Sequence, residues 1–467
     1  MENPDTPPIM IAKHISHAGI TFEVFRPEEL PGIPIFGDPK QRRINSSTSS
    51  SCSSNGNNNK KRGADEEEQG WEKRRRTTIE SQFFDRVFAG LETQVYDEGI
   101  RLPKLPDWLN AVREDQWDTR APGVFLVRPS LEHFRSRFVE MMGLLEAIGV
   151  EMGVVKVKIP EGWNDPPPIP SSGSDGAPPD LELYTMTQRL PLHPSSKSNL
   201  TPIYHVTSST KRTISASRWR DLIQTPTRPT AALSELKMCF RGRQWNSILT
   251  GIPRDGPTQY SSDNDITDDL RSYLSLSDPK LTSLPGNALH DNITAVTGIH
   301  TPYLYIGQAY TMFALHTEDY NALSLNYQHS GAPKSWRVCS PRSFTALEDF
   351  IAASVPNARN CSQFVRHQSI YLPRQTLEGV GVRSTLVRQF PGEMVITWPL
   401  AYHQGWNEGV NVNEACGYGN KRWRELFPEK AKRVKEGRGV NGGVVYRACG
   451  GRCVGGEQPV RLVYGGE

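Results

Sequence analysis

From residue 300 onward the sequence is a succession of short segments rich in Tyr, Phe, Trp, Val and Ile, separated by Gly, Pro, Ser and Asn. Segments of this composition form β-strands, and many of them at close spacing indicate a β-sandwich or a barrel. They are TPYLYIG, AYTMFALH, LSLNYQ, SWRVCS, SIYLP, TLVRQF and MVITWPLAYH. We therefore expect a jelly roll here, with the cupin-like double-stranded β-helix among the alternatives.

A helical pattern precedes this region, in GVFLVRPSLEHFRSRFVEMMGLLEAIG. After a short strand, apolar residues recur at spacings of three, four and seven, as they do on one face of an α-helix. Ser130 is expected to cap the start of this helix and Gly149 to end it. GVVKVKIPEGW then alternates like a strand, and SASRWRDLIQ and DDLRSYLSL are further helical segments. The fold class is therefore α+β.

The first 78 residues have a different composition. In residues 1–40, ITFEVF alternates like a strand and predicts a small ordered piece. Residues 41–78 contain NSSTSSSCSSNGNNN, which has too little apolar surface to offset the chain entropy lost on folding. Two basic clusters follow, at 60–62 and 73–76, and they favour a bipartite nuclear-import signal. The alternative is a solvated charge run, since acidic residues lie between them.

Charge, hydropathy and cysteine content exclude several classes of protein. The formal net charge of +3 is too small to indicate nucleic-acid binding by bulk charge. The chain has no apolar run long enough for a transmembrane helix, and its first residues do not have the pattern of a secretory signal. Seven cysteines, an odd number, indicate free thiols or metal ligands rather than a disulfide framework.

The triplet His316-Thr317-Glu318 ends one of the strand-like segments. The composition alone gives about one His-x-acid triplet by chance, so its surroundings must carry the argument. A non-haem Fe(II) oxygenase holds its metal with two histidines and one carboxylate on one face. His403, which follows a distant β-run, is the candidate for the third ligand.

Three further residues fit an acidic co-substrate. Lys334 could pair with a carboxylate of 2-oxoglutarate, Asn326 could hydrogen-bond the same acid, and Phe313 could pack beside it. Taken singly, each is more often an ordinary core or surface residue. Their joint order within a predicted β-helix is what favours a common site.

Two long stretches resemble the JmjC domain of histone lysine demethylases, namely TPYLYIGQAYTMFALHTEDYNALSLNYQHSGAPKSW and FPGEMVITWPLAYHQGWNEGVNVNEA. GVFLVRPSLEHF through KIPEGW resembles the JmjN segment of one branch of that family, and CSQFVRH matches the same branch. The resemblance covers roughly residues 121–164 and 200–425. The chain is thereby divided into an N-terminal segment of unknown role (1–40), a linker with the import signal (41–78), JmjN (121–164), a mixed connecting region (165–297), JmjC (298–425) and a Gly/Lys-rich C-terminal segment (426–467).

The resemblance assigns roles to individual residues. It implies that Fe(II) is held by His316, Glu318 and His403, and that 2-oxoglutarate is bound by Asn326 and Lys334 with Phe313 beside it. It implies that the methyl-lysine pocket is lined by Gly298, Tyr305, Glu318 and Ala415. It also implies a structural zinc site with two matched ligands, Cys361 and His367, and two remaining candidates, Cys449 and Cys453.

Two departures from the family pattern stand out. The family places a co-substrate tyrosine in a P-x-Y-G segment, where this chain has Asp255, and Tyr260 five residues later is expected to replace it. Polar residues often follow the N-x-x-E motif in the family, whereas Ala415 and Gly417 follow it here and predict a less polar methyl pocket.

The implied function is a nuclear histone demethylase, acting on methyl-lysine at position 9 or 36 of histone H3. It would use Fe(II), 2-oxoglutarate and O₂, release formaldehyde and succinate, and regulate chromatin and transcription. The implied partners are the H3 tail, the nucleosome and the nuclear import machinery, without a membrane or sequence-specific DNA binding. Two alternatives stay open: a catalytically impaired JmjC regulator that binds chromatin, and a 2-oxoglutarate-dependent protein hydroxylase.

Overall fold

The structure, a computed structural model, describes residues 13–17, 20–24, 93–95, 101–114, 123–168, 181–188, 203–205, 208, 212–224, 258–291, 298–354, 364–367, 369–428 and 431. It divides the chain into two units, Met1–Ser53 and Ser54–Glu467. In the first unit, strands β1 (Lys13–His17) and β2 (Ile20–Val24) form an antiparallel hairpin, which agrees with the alternation in ITFEVF. The predicted linker at 41–78, with its two basic clusters, lies outside the described residues.

The second unit contains both strands and helices. Its strands are β3 (Thr93–Val95), β4 (Arg101–Pro103), β5 (Val112–Glu114), β6 (Val124–Val127), β7 (Val154–Lys158), β8 (Glu182–Gln188), β9 (Tyr204–His205), β10 (Arg212–Ser215), β11 (Thr258–Asp265), β12 (Tyr303–Gly307), β13 (Met312–His316), β14 (Leu323–Gly331), β15 (Lys334–Cys339), β16 (Ile370–Tyr371), β17 (Ser384–Gln389), β18 (Glu393–Thr397), β19 (His403–Asn407) and β20 (Asn411–Tyr418). Its α-helices are α1 (Leu131–Ser136), α2 (Phe138–Met152), α3 (Ala216–Gln224), α4 (Asp268–Leu274), α5 (Phe344–Ser354), α6 (Phe364–His367), α7 (Arg374–Gly379) and α8 (Lys421–Leu426).

Two sheets face each other across a buried apolar layer. The large sheet has the order β10-β8-β11-β12-β20-β14-β18-β7-β6-β5, and the small sheet has the order β13-β19-β15-β17. Side chains from both sheets meet between them, among them Val154 and Val395 of the large sheet and Val338 and Val387 of the small one. The chain crosses repeatedly from one sheet to the other, and this arrangement is the expected double-stranded β-helix within an α+β fold.

Helices cover the outer faces of the β-helix. α2 lies against the outer face of the large sheet, in an apolar cluster that includes Phe138, Leu145, Leu325 and Ile396. The predicted helices in SASRWRDLIQ and DDLRSYLSL are confirmed as α3 and α4. Within the described ranges, no helix is long and apolar enough to cross a membrane.

The single helix predicted here is divided at Arg137 into α1 and α2, and only one of its two predicted ends is confirmed. Ser130 caps α1, since its hydroxyl accepts a hydrogen bond from the His133 amide at 3.2 Å. The prediction that Gly149 ends the helix is wrong, because α2 continues to Met152 and ends at Gly153 with φ of +83°. Gly149 has a packing role instead: a Cβ there would lie 1.9 Å from Cδ2 of Trp398. Its missing side chain therefore lets α2 approach the sheet.

The close approach of Gly405 in β19 gives a stability prediction. A Cβ at this position would lie 2.1 Å from the Ser335 carbonyl oxygen and 2.3 Å from Cζ of Phe313. Gly405→Ala should lower the free energy of unfolding by about 1–3 kcal/mol, the usual cost of overpacking a core, in urea denaturation. Gly143→Ala is the matched control, because no atom lies within 4 Å of its Cβ and alanine favours a helix. Equal stability of both variants would contradict this packing of β19.

Candidate metal and co-substrate site

The three candidate metal ligands come together where two strands of the small sheet meet. His316 ends β13 and His403 begins β19, and the two residues are paired across the antiparallel ladder. Their ring centroids are 4.3 Å apart. Glu318 follows two residues after the end of β13, and its Oε1 lies 3.3 Å from Nε2 of His403. One ligand atom from each residue can be chosen so that all three lie within 4.8 Å of one another.

His403 reaches this position because the chain breaks between two strands. The predicted strand in MVITWPLAYH is in fact two elements, β18 in the large sheet and the start of β19 in the small sheet. Leu400, with φ of +66°, lies in the turn between them. The break carries His403 across the β-helix to its partner His316.

Backbone carbonyls fix the orientation of both imidazoles. Nδ1 of His316 donates to the Ala314 carbonyl at 2.7 Å, and Nδ1 of His403 donates to the Ala401 carbonyl at 3.0 Å. Because a carbonyl can only accept, Nδ1 of each ring carries a hydrogen, and Nε2 is therefore the nitrogen that can bind a metal. Such a bond is the usual device that sets the tautomer of a metal-binding histidine.

The electrostatics of the site also suit a cation. Burial, assisted by the neighbouring His403, lowers the pKa of His316 to about 3, so its ring is neutral at physiological pH. Burial alone would raise the pKa of Glu318, but the hydrogen bond with His403 and nearby positive charge lower it to about 2. Two imidazoles and one carboxylate are the donor set of a facial-triad metal centre that keeps other positions open. The residues therefore fit a divalent transition metal.

Lys334 places a buried cation close to this triad. Its side chain is 2% exposed. Its Nζ lies 5.0–5.7 Å from the ring centroids of four aromatic residues, Tyr260, Tyr305, Phe313 and Trp336. Burial lowers the pKa of Lys334 to about 7, and no carboxylate pairs with it in the part of the chain that the structure describes. A buried ammonium without an acidic partner is strongly disfavoured, so the site suits an anionic ligand.

Tyr260, the tyrosine that the sequence offers for the co-substrate, lies beside Lys334. It is in β11, and its hydroxyl accepts a hydrogen bond from Nζ of Lys334 at 3.4 Å. Burial, assisted by Asp263, raises its pKa, so the phenol stays protonated and can donate to an acid. The competing position, Asp255, lies outside the described residues.

Asn326 and Phe313 also face the interior. Nδ2 of Asn413 donates to Oδ1 of Asn326 at 3.0 Å, so the Asn326 amide nitrogen is the atom that could donate to an acid. Phe313 packs edge-on against Trp336 with ring centroids 4.8 Å apart, so it forms an apolar wall beside Lys334.

The candidate substrate residues lie along neighbouring strands. Tyr305 of β12 stacks on Tyr260 with ring centroids 6.5 Å apart. Ala415 of β20 is paired with Asn326 on one side and with Tyr303 on the other. Gly298 has φ of +82°, and a Cβ there would lie 2.2 Å from the Tyr303 ring. The glycine therefore allows its turn to fold closely over β12.

Gly417 has a structural explanation. Its amide donates to the Ile299 carbonyl at 3.0 Å. A Cβ at this position would lie 3.0 Å from the same oxygen, so the turn at 298–300 occupies the space beside the strand. A larger polar side chain has little room here, which accounts for one departure from the family pattern.

The predicted zinc ligands are not brought together by the described residues. Cys361, Cys449 and Cys453 lie outside them, and the structure gives only the place of His367 in α6. The zinc site therefore stays a prediction.

Sequence reasoning missed Trp336 and Asn413 as parts of the site. Trp336 is two residues after Lys334 in β15, so both side chains point to the same face of the strand. Asn413 is likewise two residues before Ala415 in β20. The two-residue period of a strand is the signal that could have found them.

Removing the Tyr260 hydroxyl should weaken the binding of an acidic co-substrate. We expect Tyr260→Phe to lose about 0.5–1.5 kcal/mol of 2-oxoglutarate binding, the net value of one hydrogen bond. The measurement is calorimetry with Mn(II) in the site. Tyr273→Phe is the control, since the Tyr273 ring contacts the guanidinium of Arg220 at 4.3 Å and not Lys334. Unchanged affinity in Tyr260→Phe would show that the phenol does not bind the acid.

One protein-family model matches the region of the chain that forms the β-helix. Residues 303–418 match the family described as "JmjC domain, hydroxylase". Three similar proteins are "Probable lysine-specific demethylase 4F" of Homo sapiens, "Lysine-specific demethylase 4B" of Mus musculus and "Lysine-specific demethylase 4D" of Rattus norvegicus.

The similarity is confined to one region. The human protein is 39% identical over 129 residues, which are 27% of this chain and 20% of that protein. The mouse protein is 37% identical over 131 residues, which are 28% of this chain and 12% of that protein. The rat protein is 36% identical over 129 residues, which are 27% of this chain and 25% of that protein. The chain therefore matches a quarter or less of the length of each of these relatives.

Proposed function

Since the chain carries a JmjC domain, we propose that it is an Fe(II)- and 2-oxoglutarate-dependent demethylase of methyl-lysine in histone H3. The single observation that carries the proposal is the combination of a candidate metal triad with a buried lysine that no carboxylate of the described residues pairs with. The names of the similar proteins support lysine demethylation as the reaction. Lysine 9 and lysine 36 are the proposed positions, and the nucleosome is the proposed partner.

His316, Glu318 and His403 would hold the iron through two Nε2 atoms and a carboxylate oxygen. Bound Fe(II) would supply the redox chemistry by which O₂ and 2-oxoglutarate oxidise an N-methyl group, giving succinate, CO₂ and formaldehyde. The ammonium of Lys334 would bind the distal carboxylate of 2-oxoglutarate, and the hydroxyl of Tyr260 would orient the same group. The rings around Lys334 would exclude water, which strengthens this charge pair.

The methyl-lysine side chain would be received by Gly298, Tyr305, Glu318 and Ala415, the residues that the resemblance assigns to its pocket. Tyr305 would supply an aromatic face to the methyl groups, and the small side chain of Ala415 would leave room for them. A quaternary ammonium has no hydrogen-bond donor, so its recognition relies on aromatic faces and on the carboxylate of Glu318.

The JmjN role of residues 121–164 is part of the proposal. β7 of this segment pairs with β18 in register from Val154 to Lys158 and β6 pairs with β7, so the segment adds two strands to the large sheet. Structural zinc at Cys361, His367, Cys449 and Cys453 is also proposed, on the resemblance alone.

Mass spectrometry of trimethylated H3 peptides tests the reaction. The full chain is incubated with Fe(II), ascorbate, 2-oxoglutarate and a peptide trimethylated at lysine 9 or 36. We expect loss of methyl groups and release of formaldehyde, both absent in His316→Ala. Gain of one oxygen without loss of methyl would favour the protein hydroxylase. Peptide binding without turnover would favour the catalytically impaired regulator.

Nuclear localisation is proposed from the two basic clusters at 60–62 and 73–76. Deleting residues 60–76 from a fluorescent fusion should move it from the nucleus to the cytoplasm, because import receptors bind exposed basic clusters. Deletion of 44–59, which contains no lysine or arginine, is the control. Nuclear retention of the first deletion would show that import depends on another segment.

A further inference from the structure

The turn that follows Glu318 has an unusual backbone. Tyr320 and Asn321 are consecutive non-glycine residues with φ of +56° and +50°. This left-handed region is disfavoured for residues with a Cβ, and two in succession persist only when surrounding contacts hold them. Glu318 lies between the end of β13 and this turn, so the strand ladder alone does not fix its carboxylate.

Arg366 holds the turn from one side. It lies in α6, and its guanidinium forms an ion pair with the Asp319 carboxylate. Burial would lower the pKa of Arg366, but the charges of Asp319, Glu318 and Asp263 outweigh it and raise the pKa. The guanidinium therefore stays charged and faces the acidic groups around the metal ligand.

Trp423 holds the turn from the other side. It is 1% exposed in α8, and its Nε1 donates to the Tyr320 carbonyl at 3.1 Å. Its own amide donates to Oδ1 of Asn420 at 2.7 Å, and Nδ2 of Asn420 donates to Glu146 of α2 at 2.8 Å. The turn is thus tied through α8 to the helix that covers the large sheet.

We propose that Arg366 and Trp423 are positioning residues for the Glu318 ligand. Neither side chain is a metal ligand. Their contacts together hold the strained turn that presents the Glu318 carboxylate. Metal affinity then depends on contacts from α6 and α8, outside the β-helix itself. The inference rests on the proposed metal site and names two residues that tune it.

Co(II) titration of the full chain, followed by visible absorption, tests this inference without turnover. Arg366→Gln removes the charge from the turn and should weaken Co(II) binding by about tenfold or more, as loss of an outer contact typically does. Trp423→Phe keeps an aromatic ring but loses the N–H, and should weaken binding by roughly twofold to tenfold. Arg366→Lys should fall between wild type and Arg366→Gln.

Two matched controls separate positioning from general stability. Arg342→Gln breaks a half-exposed ion pair with Glu151 far from the triad, and Trp163→Phe breaks an indole bond to the Pro279 carbonyl. Both should bind Co(II) like wild type, even where thermal denaturation shows equal destabilisation. Should Arg366→Gln fail to fold, the Co(II) affinities of Arg366→Lys and Trp423→Phe are compared with that of wild type. Wild-type affinity in both would overturn the positioning role.

The results distinguish this inference from the proposed function. Wild type that takes up no Co(II) would overturn the metal site and the inference with it. Wild type that binds Co(II), with Arg366→Gln and Trp423→Phe binding equally well, would overturn the positioning role alone. Weaker binding and an altered Co(II) absorption band in these two variants, but not in the controls, would support it.

Discussion

The single substitution His403→Ala should abolish both stoichiometric metal binding and turnover. Only His316 and Glu318 would remain as protein donors, and two donors hold a divalent ion weakly. The loss is expected to be complete because His403 also lies 3.3 Å from the Glu318 carboxylate and fixes its position. Anaerobic loading with Fe(II), desalting and metal analysis give the occupancy directly.

The control for this variant is His133→Ala. His133 lies in α1, where its ring packs edge-on against Trp108 with centroids 5.1 Å apart. It should lose some stability but keep full metal occupancy and turnover. Full iron occupancy in His403→Ala would remove this residue from the ligand set, whatever the activity of the variant.

Local patterns were sufficient to predict the elements that build the site. Alternation and turn residues predicted the strands that carry His316, Lys334 and Asn326, because a strand exposes every second residue to one face. Ser130 was identified as a cap from its position before an apolar helical face. Such signals lie within about ten residues of the element they predict, so they can be read from a single sequence without knowledge of long-range contacts.

Long-range contacts explain where the prediction failed. The sequence predicts a helix end at Gly149 because glycine often ends a helix, and nothing local shows that Trp398 packs against it. The break at Leu400 that moves His403 between sheets also depends on the assembled β-helix. The two contacts that hold the Glu318 turn, from Arg366 and Trp423, join residues 47 and 103 positions apart.

Lys334→Met should keep the fold but lose most of the affinity for 2-oxoglutarate. Methionine has a similar length and no charge, so it fills the aromatic pocket without a buried ammonium. The lost charge-assisted bond predicts a penalty of about 1.5–3 kcal/mol, measured by calorimetry with Mn(II) in the site. Lys158→Met is the control, because Lys158 is exposed and donates to the Pro391 carbonyl.

The pH dependence of that binding gives a sharper test of Lys334. Because burial lowers the pKa of Lys334 to about 7, the Lys334 amine is protonated below that pH in the free protein and neutral above it. A bound carboxylate favours the charged ammonium and raises the pKa, so binding above pH 7 takes up a proton. Affinity should therefore be greatest below about pH 7 and fall roughly tenfold per pH unit above it.

Other groups at the site should not produce this dependence. His316, whose pKa is lowered to about 3, is already neutral, and burial keeps the Tyr260 phenol protonated throughout. Calorimetry between pH 6 and 9 in two buffers of different ionisation enthalpy measures affinity and proton uptake together. Lys334→Met should bind weakly with no proton uptake and a flat profile. A wild-type profile equally flat would mean that Lys334 is not the cation that binds the acid.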